Sequence, residues 1–184
     1  MEQQTPSIDD YKKILKQLNN ETERHSISVA EICKAIAEKK GFNPDLLYKI
    51  GLVHDIGKLY IPSRILKKNG KLSGIEREVV DLHSYYGYRI LKEYGEEDQI
   101  YMPVLLHHGF GKAHLKLVDE QISVEIMEYT ALIHSVDIYD AMISKRAYHT
   151  PIDFDTIHGI LNKDALCTKE LLALITEYDS YKQV

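Results

Sequence analysis

Residues 51–58 read Gly51-Leu52-Val53-His54-Asp55-Ile56-Gly57-Lys58, and the adjacent imidazole and carboxylate at 54 and 55 decide how the rest of the chain is read. A neutral imidazole serves one cation and a carboxylate can bridge two, so the pair calls for further donors. Those donors are distant in sequence: His25, His83, His107, His108 and Asp137. The set is nitrogen and oxygen without thiolate, which suits Fe, Mn, Zn or Ni rather than a soft thiolate-bound ion. For such residues to meet, the chain must return repeatedly to one point.

The apolar pattern says how it returns. Periodicity near that of a helix runs through almost the whole sequence, beginning over 9–18. A second helix is opened by Asn20 with Glu23 as a capping box, carries His25 in its first turns, and runs through Val29, Ile32, Ile36 and Ala37 to Gly41. Asn43-Pro44 supplies an N-cap and a first-turn proline for a third helix, with Leu46, Leu47, Ile50 and Val53 inward and His54 and Asp55 in its last turn. Residues 59–72 read as an irregular connection holding Pro62, Gly70 and a small solvated cluster of Lys67, Lys68 and Lys71. Ser73 with Glu76 forms another capping box and opens a helix over 74–94, closed by Gly95, with His83 in its middle. A shorter helix covers 97–108, where Pro103 predicts a kink or a late start, and a long one covers 123–144. Two more follow over 153–161 and 168–181. No convincing strand, internal repeat or linker interrupts the series. The expected fold is all-α, a single compact helical bundle.

Within that bundle the donors are not equivalent. His83 is in step with Val79, Tyr86 and Ile90, spacings that place it on a buried stripe. Asp137 lies in 131–143, apolar nearly all round, where an ionised carboxylate is costly unless a cation or hydrogen bonds compensate it. His107 and His108 follow Val104-Leu105-Leu106 and precede Gly109, so their rings project about 100° apart from the end of an apolar helix. His114, His134, His149 and His158 read as hydrogen-bonded core or boundary residues rather than ligands.

Composition sets the outer limits. The 184 residues, 44% hydrophobic, fit one domain large enough to bury a metal cluster, with a site core over 20–150 and C-terminal helices over 151–184. A net charge of -5 offers no basic surface for a nucleic-acid polymer. Cys33 and Cys167 are too few for a disulfide framework, the N-terminus is polar, and no run approaches the roughly 18–20 apolar residues that span a bilayer. A soluble cytoplasmic protein with no membrane partner is expected.

The motifs carry a resemblance. His25, His54-Asp55-Ile56-Gly57-Lys58 followed by Ile61-Pro62 and Ile65-Leu66-Lys67, His83-x-x-x-Gly87-x-x-Ile90-Leu91, His107-His108, and Asp137-Ile138-Tyr139-Asp140-Ala141-Met142 with Arg146-x-Tyr148 together resemble the HD superfamily of metal-dependent phosphohydrolases, and within it the HD-GYP subfamily. The likeness covers residues 20–150. It implies a helical bundle of the HD-domain type, one metal on His25, His54, Asp55 and Asp137, and a second on Asp55, His83, His107 and His108. Asp55 would bridge them. Glu21, four residues before His25, matches a carboxylate that in some members helps bind a third metal. The ions implied are two or three divalent transition metals, Fe or Mn first and Zn, Ni or Mg as alternatives.

Two such cations lower the pKa of a bridging water so that hydroxide exists near neutral pH, and they hold a phosphoryl oxygen against it. Lys58 would neutralise charge growing on the phosphoryl oxygens, and Arg146 could grip a second phosphate oxygen. Asp140, on the same face as Asp137, would orient a ligand or Arg146. The expected substrate is a small phosphorylated, nucleotide-like molecule. The chain departs from the subfamily after the paired histidines, where an acidic or amide residue and Asp-Gly-x-Gly-Tyr-Pro are replaced by Gly109-Phe110-Gly111-Lys112-Ala113-His114. Cyclic di-GMP, the subfamily's usual substrate, is therefore expected to be a poor one, with Phe110, Lys112 and His114 left as substrate-side residues or plain surface. Two other functions use the same ligand set: a diiron oxygenase, and a non-catalytic sensor that keeps its metals for stability.

Overall fold

The computed structural model describes residues 5–18, 20–109, 122–144 and 152–182. Its elements in chain order are α1 (Ile8–Leu15), α2 (Asn20–Lys40), α3 (Pro44–Val53), a 3-10 turn (Ile56–Tyr60), α4 (Ser63–Leu66), α5 (Gly74–Asp81), α6 (His83–Glu93), α7 (Asp98–Leu106), α8 (Val124–Ile143), α9 (Phe154–Leu161) and α10 (Lys169–Lys182). The fold is all-α, and no strand occurs among the described residues.

The centre of the bundle is α2, which packs on α3 and on α8. Its inward side, Val29, Ile32, Cys33, Ile36 and Ala37, is fully or almost fully buried, each large aliphatic contributing about 1.5–3 kcal/mol on burial. The crossing with α3 is close because Gly51 has no side chain: a Cβ there would lie 2.8 Å from the Cα of Ala30. That approach carries His54, three residues on, toward His25 at the N-terminal end of α2. The 3-10 turn is seated on α6 by a similar device. A Cβ on Gly57 would fall 1.9 Å from the carbonyl oxygen of His83 and 2.4 Å from the amide nitrogen of Gly87, so only glycine lets the two backbones meet. α7 lies between α6 and α8, and α10 closes the bundle against α2 and α8.

Several boundaries differ from the sequence expectation, each for a local reason. Asn20 is already helical, so it is the first residue of α2 rather than its cap, and residue 19 lies outside the described residues. α1 ends at Leu15 and starts from a capping box of Ser7 with Asp10. The connection 59–72 is not wholly irregular, since it holds the end of the 3-10 turn and the short α4. The expected helix 74–94 is divided at Leu82 into α5 and α6, and His83 begins α6 instead of standing mid-helix. There the His83 Nδ1–H donates to the carbonyl of Val80 at 2.6 Å and the Ser84 hydroxyl to that of Asp81 at 3.2 Å, so side chains compete for carbonyls the helix would use. Pro103 neither delays nor ends α7, which begins before it at Asp98. A proline inside a helix costs about 3 kcal/mol, and complete or near-complete burial of Met102, Val104, Leu105 and Leu106 outweighs that at about 1.5–3 kcal/mol per side chain.

Candidate metal centre

Three histidines reach the centre by one construction. His54 is the C-cap of α3, His107 the C-cap of α7, and His83 stands at the α5–α6 break. Each donates its Nδ1–H to the carbonyl three residues earlier: His54 to Gly51 at 2.7 Å, His83 to Val80 at 2.6 Å and His107 to Val104 at 2.7 Å. Helix ends leave such carbonyls without partners. The bond also settles the tautomer, because a carbonyl can only accept, so the Nε2 of a neutral ring carries its lone pair toward the middle of the site.

Those nitrogens crowd together. His83 Nε2 is 3.4 Å from His107 Nε2 and 3.1 Å from His108 Nε2. Nitrogen donors bound about 2.1 Å from one ion stand about 3.0 Å apart at a right angle and about 3.4 Å apart in a tetrahedron, so these spacings suit a shared cation. His54 Nε2 is buried and makes no hydrogen bond among the described residues; an orphaned lone pair at that depth is costly without a partner. It lies 3.5 Å from Asp55 Oδ2 and 3.8 Å from Asp137 Oδ1. Donor groups that could hold an ion are His83, His107 and His108, then His25, His54 and Asp55, and also His54, His107 and Asp137.

Asp55 stands between the halves. Its Oδ1 is 3.2 Å from His83 Nε2, while its Oδ2 faces His54 and accepts a hydrogen bond from the Lys58 ammonium. His25 belongs to the first half: Nε2 is 2.9 Å from Asp137 Oδ1, and Nδ1 is 2.6 Å from Oδ2 of the buried Asp140. Asp140 in turn accepts from the Ser28 hydroxyl at 2.5 Å. Ser28 was not legible as a site residue, because a lone serine mid-helix carries no signal until Asp140 is seen beside it.

The electrostatics follow the same division. Burial, aided by the charges of Lys58 and His108, pushes His83 down to about 3, and burial among its neighbouring rings holds His107 well below the usual imidazole range. Both rings are therefore neutral donors at neutral pH. Burial opposes charge on His25 as well, but its bonds to Asp137 and Asp140 prevail and raise it to about 9. Asp55 and Asp137 stay ionised although burial acts against them: Lys58 with His54, His83 and His25 holds Asp55 well below the carboxylate range, and His25 with His54 does so for Asp137.

A cleft of about 320 Å³ adjoins the first half, lined among others by Glu21, His25, Lys58, Ile65, Lys68 and Val80. Lys68, read from sequence as solvated, thus lines the cleft and pairs with Glu76 at 2.6 Å. Arg146, Phe110, Lys112, His114 and His149 lie outside the described residues.

The HD domain family matches residues 22–142. A cyclic di-GMP phosphodiesterase of Pseudomonas aeruginosa is 35% identical over 144 residues, which is 73% of this chain and 33% of that protein. A cyclic di-GMP phosphodiesterase of Thermotoga maritima is 33% identical over 138 residues, 71% of this chain and 37% of that one. The crystal structure of the HD domain of the L. monocytogenes phosphodiesterase PgpH superimposes with a TM-score of 0.67 at 23% identity, covering 91% of this chain and 93% of that one, a likeness of fold. The chain spans about a third of the length of the curated relatives it matches. With more than half of its residues matched, the chain belongs to the HD domain family.

Proposed function

We propose that this chain is a metal-dependent hydrolase of phosphoesters, acting on a phosphodiester in a small nucleotide-like substrate. The observation that carries this reading is the buried, unbonded Nε2 of His54 at the point where the other donors converge. In this reading His25, His54, Asp55 and Asp137 hold one divalent ion, and Asp55, His83, His107 and His108 hold a second, with Fe or Mn the preferred metal. Glu21, on the wall of the adjoining cleft, is the donor available to a third. Ions bound there supply an activated water near neutral pH and Lewis acidity at a phosphoryl oxygen.

The chain's own residues do the rest. Lys58 lines the cleft and touches Asp55, placing a fixed positive charge where a phosphoryl group would gain negative charge. Asp140 and Ser28 hold the His25 ring in one orientation. Ile65 and Val80 give the cleft an apolar wall on which a base or sugar can rest. The net charge of -5 favours a small anion held locally over a nucleic-acid polymer. Relatives whose names specify cyclic di-GMP support a phosphodiester as the bond cleaved, and residues 1–184 are taken as one domain because α9 and α10 share the core of the preceding helices.

The test is hydrolysis without oxygen. Protein reconstituted anaerobically with Mn(II) or Fe(II) should release product from bis(p-nitrophenyl) phosphate and from a panel of cyclic and linear dinucleotides, and chelation should abolish it. Turnover that requires dioxygen would move the function to a diiron oxygenase; metal binding without turnover across the panel would move it to a sensor.

A further inference from the structure

One histidine that reads from sequence as a plain core residue is wired into the site from behind. His134 lies on α8, three residues before Asp137. Its Nδ1–H donates to the carbonyl oxygen of His107 at 2.6 Å. Its Nε2 stands 3.0 Å from Oδ1 of Asp164, in the turn that joins α9 to α10, a contact that bonds when Nε2 carries a hydrogen as well, since a carboxylate oxygen can only accept. Asp164 is itself held, since the same Oδ1 accepts the amide N–H of Leu166 at 2.8 Å and of Cys167 at 3.3 Å. Both side chains are largely withdrawn from solvent, 13% and 27% exposed.

The carbonyl matters because of where it sits. α7 ends at Leu106, so the oxygens that follow have no helical donor waiting for them. The His107 carbonyl and the His108 N–H belong to one rigid peptide plane, and gripping that oxygen fixes the plane between the two imidazoles. The two ring centroids are 3.9 Å apart, and Nε2 of each ring lies within 3.4 Å of His83 Nε2. A rotation of the plane would swing His108 away from His107 and His83. His107 is already tethered through Nδ1 to Val104, whereas the plane beyond it is set by His134. Asp164 stands outside the residues, 22–142, that the HD domain family matches, yet it reaches the site through this single ring.

We propose that His134 is a positioning residue for the His107–His108 pair, and that Asp164 steadies it, so that the C-terminal helices act on one half of the metal centre. This rests on the two-ion reading above. The full chain, freed of metal, is titrated with Mn(II) by calorimetry as wild type, His134→Ala, His134→Asn and Asp164→Ala, and amide exchange of His108 and Gly109 is followed in the same metal-free samples. His134→Ala should weaken the second ion about 10–100-fold, the usual effect of removing a group that orients a ligand, and leave the first ion within about threefold. His134→Asn should recover most of that affinity, because the carboxamide N–H can donate to the same carbonyl; Asp164→Ala should show a smaller loss in the same direction. Exchange at His108 and Gly109 should quicken in His134→Ala and slow again in His134→Asn. Unchanged second-ion affinity and unchanged exchange in His134→Ala would overturn the proposal. So would equal weakening of both ions with no recovery in His134→Asn, the mark of a general packing defect. A wild type that binds one ion or none would refute the two-ion reading, and the exchange measurement would then decide the positioning role by itself.

Discussion

In the two-ion reading, Asp55 is the residue on which both halves of the centre would depend, since one carboxylate oxygen faces His83 and the other faces His54. Replacing it with alanine should remove both ions together, with elemental analysis of the Mn-reconstituted protein falling from two ions per chain to fewer than one. His83→Ala should lower occupancy of the second ion far more than the first, by about 10–100-fold in affinity. Equal loss in both variants would argue against a bridging Asp55. The same residues give the metal-free protein a pH dependence whose two limbs have opposite sign. His25 is raised from 6.5 to about 9, so its share of stability is complete below about pH 6.5 and is lost as pH climbs through about 9. His83 is lowered from 6.5 to about 3, so its share is complete above pH 6.5 and drains away as pH falls toward 3. Melting temperature should therefore peak near pH 6.5, and His25→Gln should flatten the alkaline limb; a wild-type profile level from pH 6.5 to 9 would contradict the pairing of His25 with Asp137 and Asp140. The convergence of these candidate donors was legible in sequence, because a carboxylate or imidazole on an apolar stripe is costly unless a cation or a hydrogen-bond partner offsets its burial. Of their supports, Asp140 was read as orienting a ligand from its place on the face of Asp137, whereas Ser28 and His134 were not legible: they act on groups 112 and 27 residues away, and no local pattern records such pairings.

At the scale of elements, glycines decide which helices can meet. Gly57 has the backbone of α6 where its Cβ would be, at 1.9 Å and 2.4 Å, and neither contact is the yielding end of a side chain. Gly57→Ala should destabilise the protein by at least about 1–3 kcal/mol, the range for forced overpacking, and it should also weaken the second ion because the 3-10 turn that Asp55 opens moves off His83. Gly74→Ala is the control. Gly74 has nothing within 4 Å of a built Cβ and lies at the exposed start of α5, so its change should stay within about 0.5 kcal/mol. Urea denaturation of both variants checks the contrast, and equal stability would show that the α6 contact is looser than drawn. Sequence periodicity located α2, α3, α7 and α8 well, since each buries apolar residues whose spacing is visible. It missed the break at Leu82 because neither glycine nor proline marks it. The cause is His83 taking the Val80 carbonyl for its own Nδ1–H, an effect of the ligand's anchoring rather than of helix propensity.

At the scale of the whole molecule, the metal centre and the choice of substrate come from different parts of the chain. In the proposed reading, ions and Lys58 would act on any phosphoryl group, whereas discrimination among phosphoesters comes from contacts to bases and sugars. The HD-GYP subfamily places such contacts just after the paired histidines, where this chain reads Gly109-Phe110-Gly111-Lys112-Ala113-His114, a segment that lies outside the described residues beyond Gly109. It lacks the tyrosine-proline turn and the acid or carboxamide that the subfamily has there, while the donor set and the cleft with Lys58 and Lys68 are in place. Cleavage chemistry should thus persist while guanine recognition is weakened. With matched Mn loading, kcat/KM for cyclic di-GMP should fall below that for its linear product and for a generic aryl phosphodiester, and the deficit should lie mainly in KM, because the lost contacts bind the ground state and the transition state alike. Grafting the subfamily's Asp-Gly-x-Gly-Tyr-Pro segment in place of 109–114 should raise kcat/KM for cyclic di-GMP selectively, leaving the aryl substrate within about threefold, since the remote change does not touch the reacting atoms. A clear preference of the unmodified chain for cyclic di-GMP would mean that Phe110, Lys112 or His114 reads guanine by other contacts, and the replaced segment would then be a second solution to the same recognition problem.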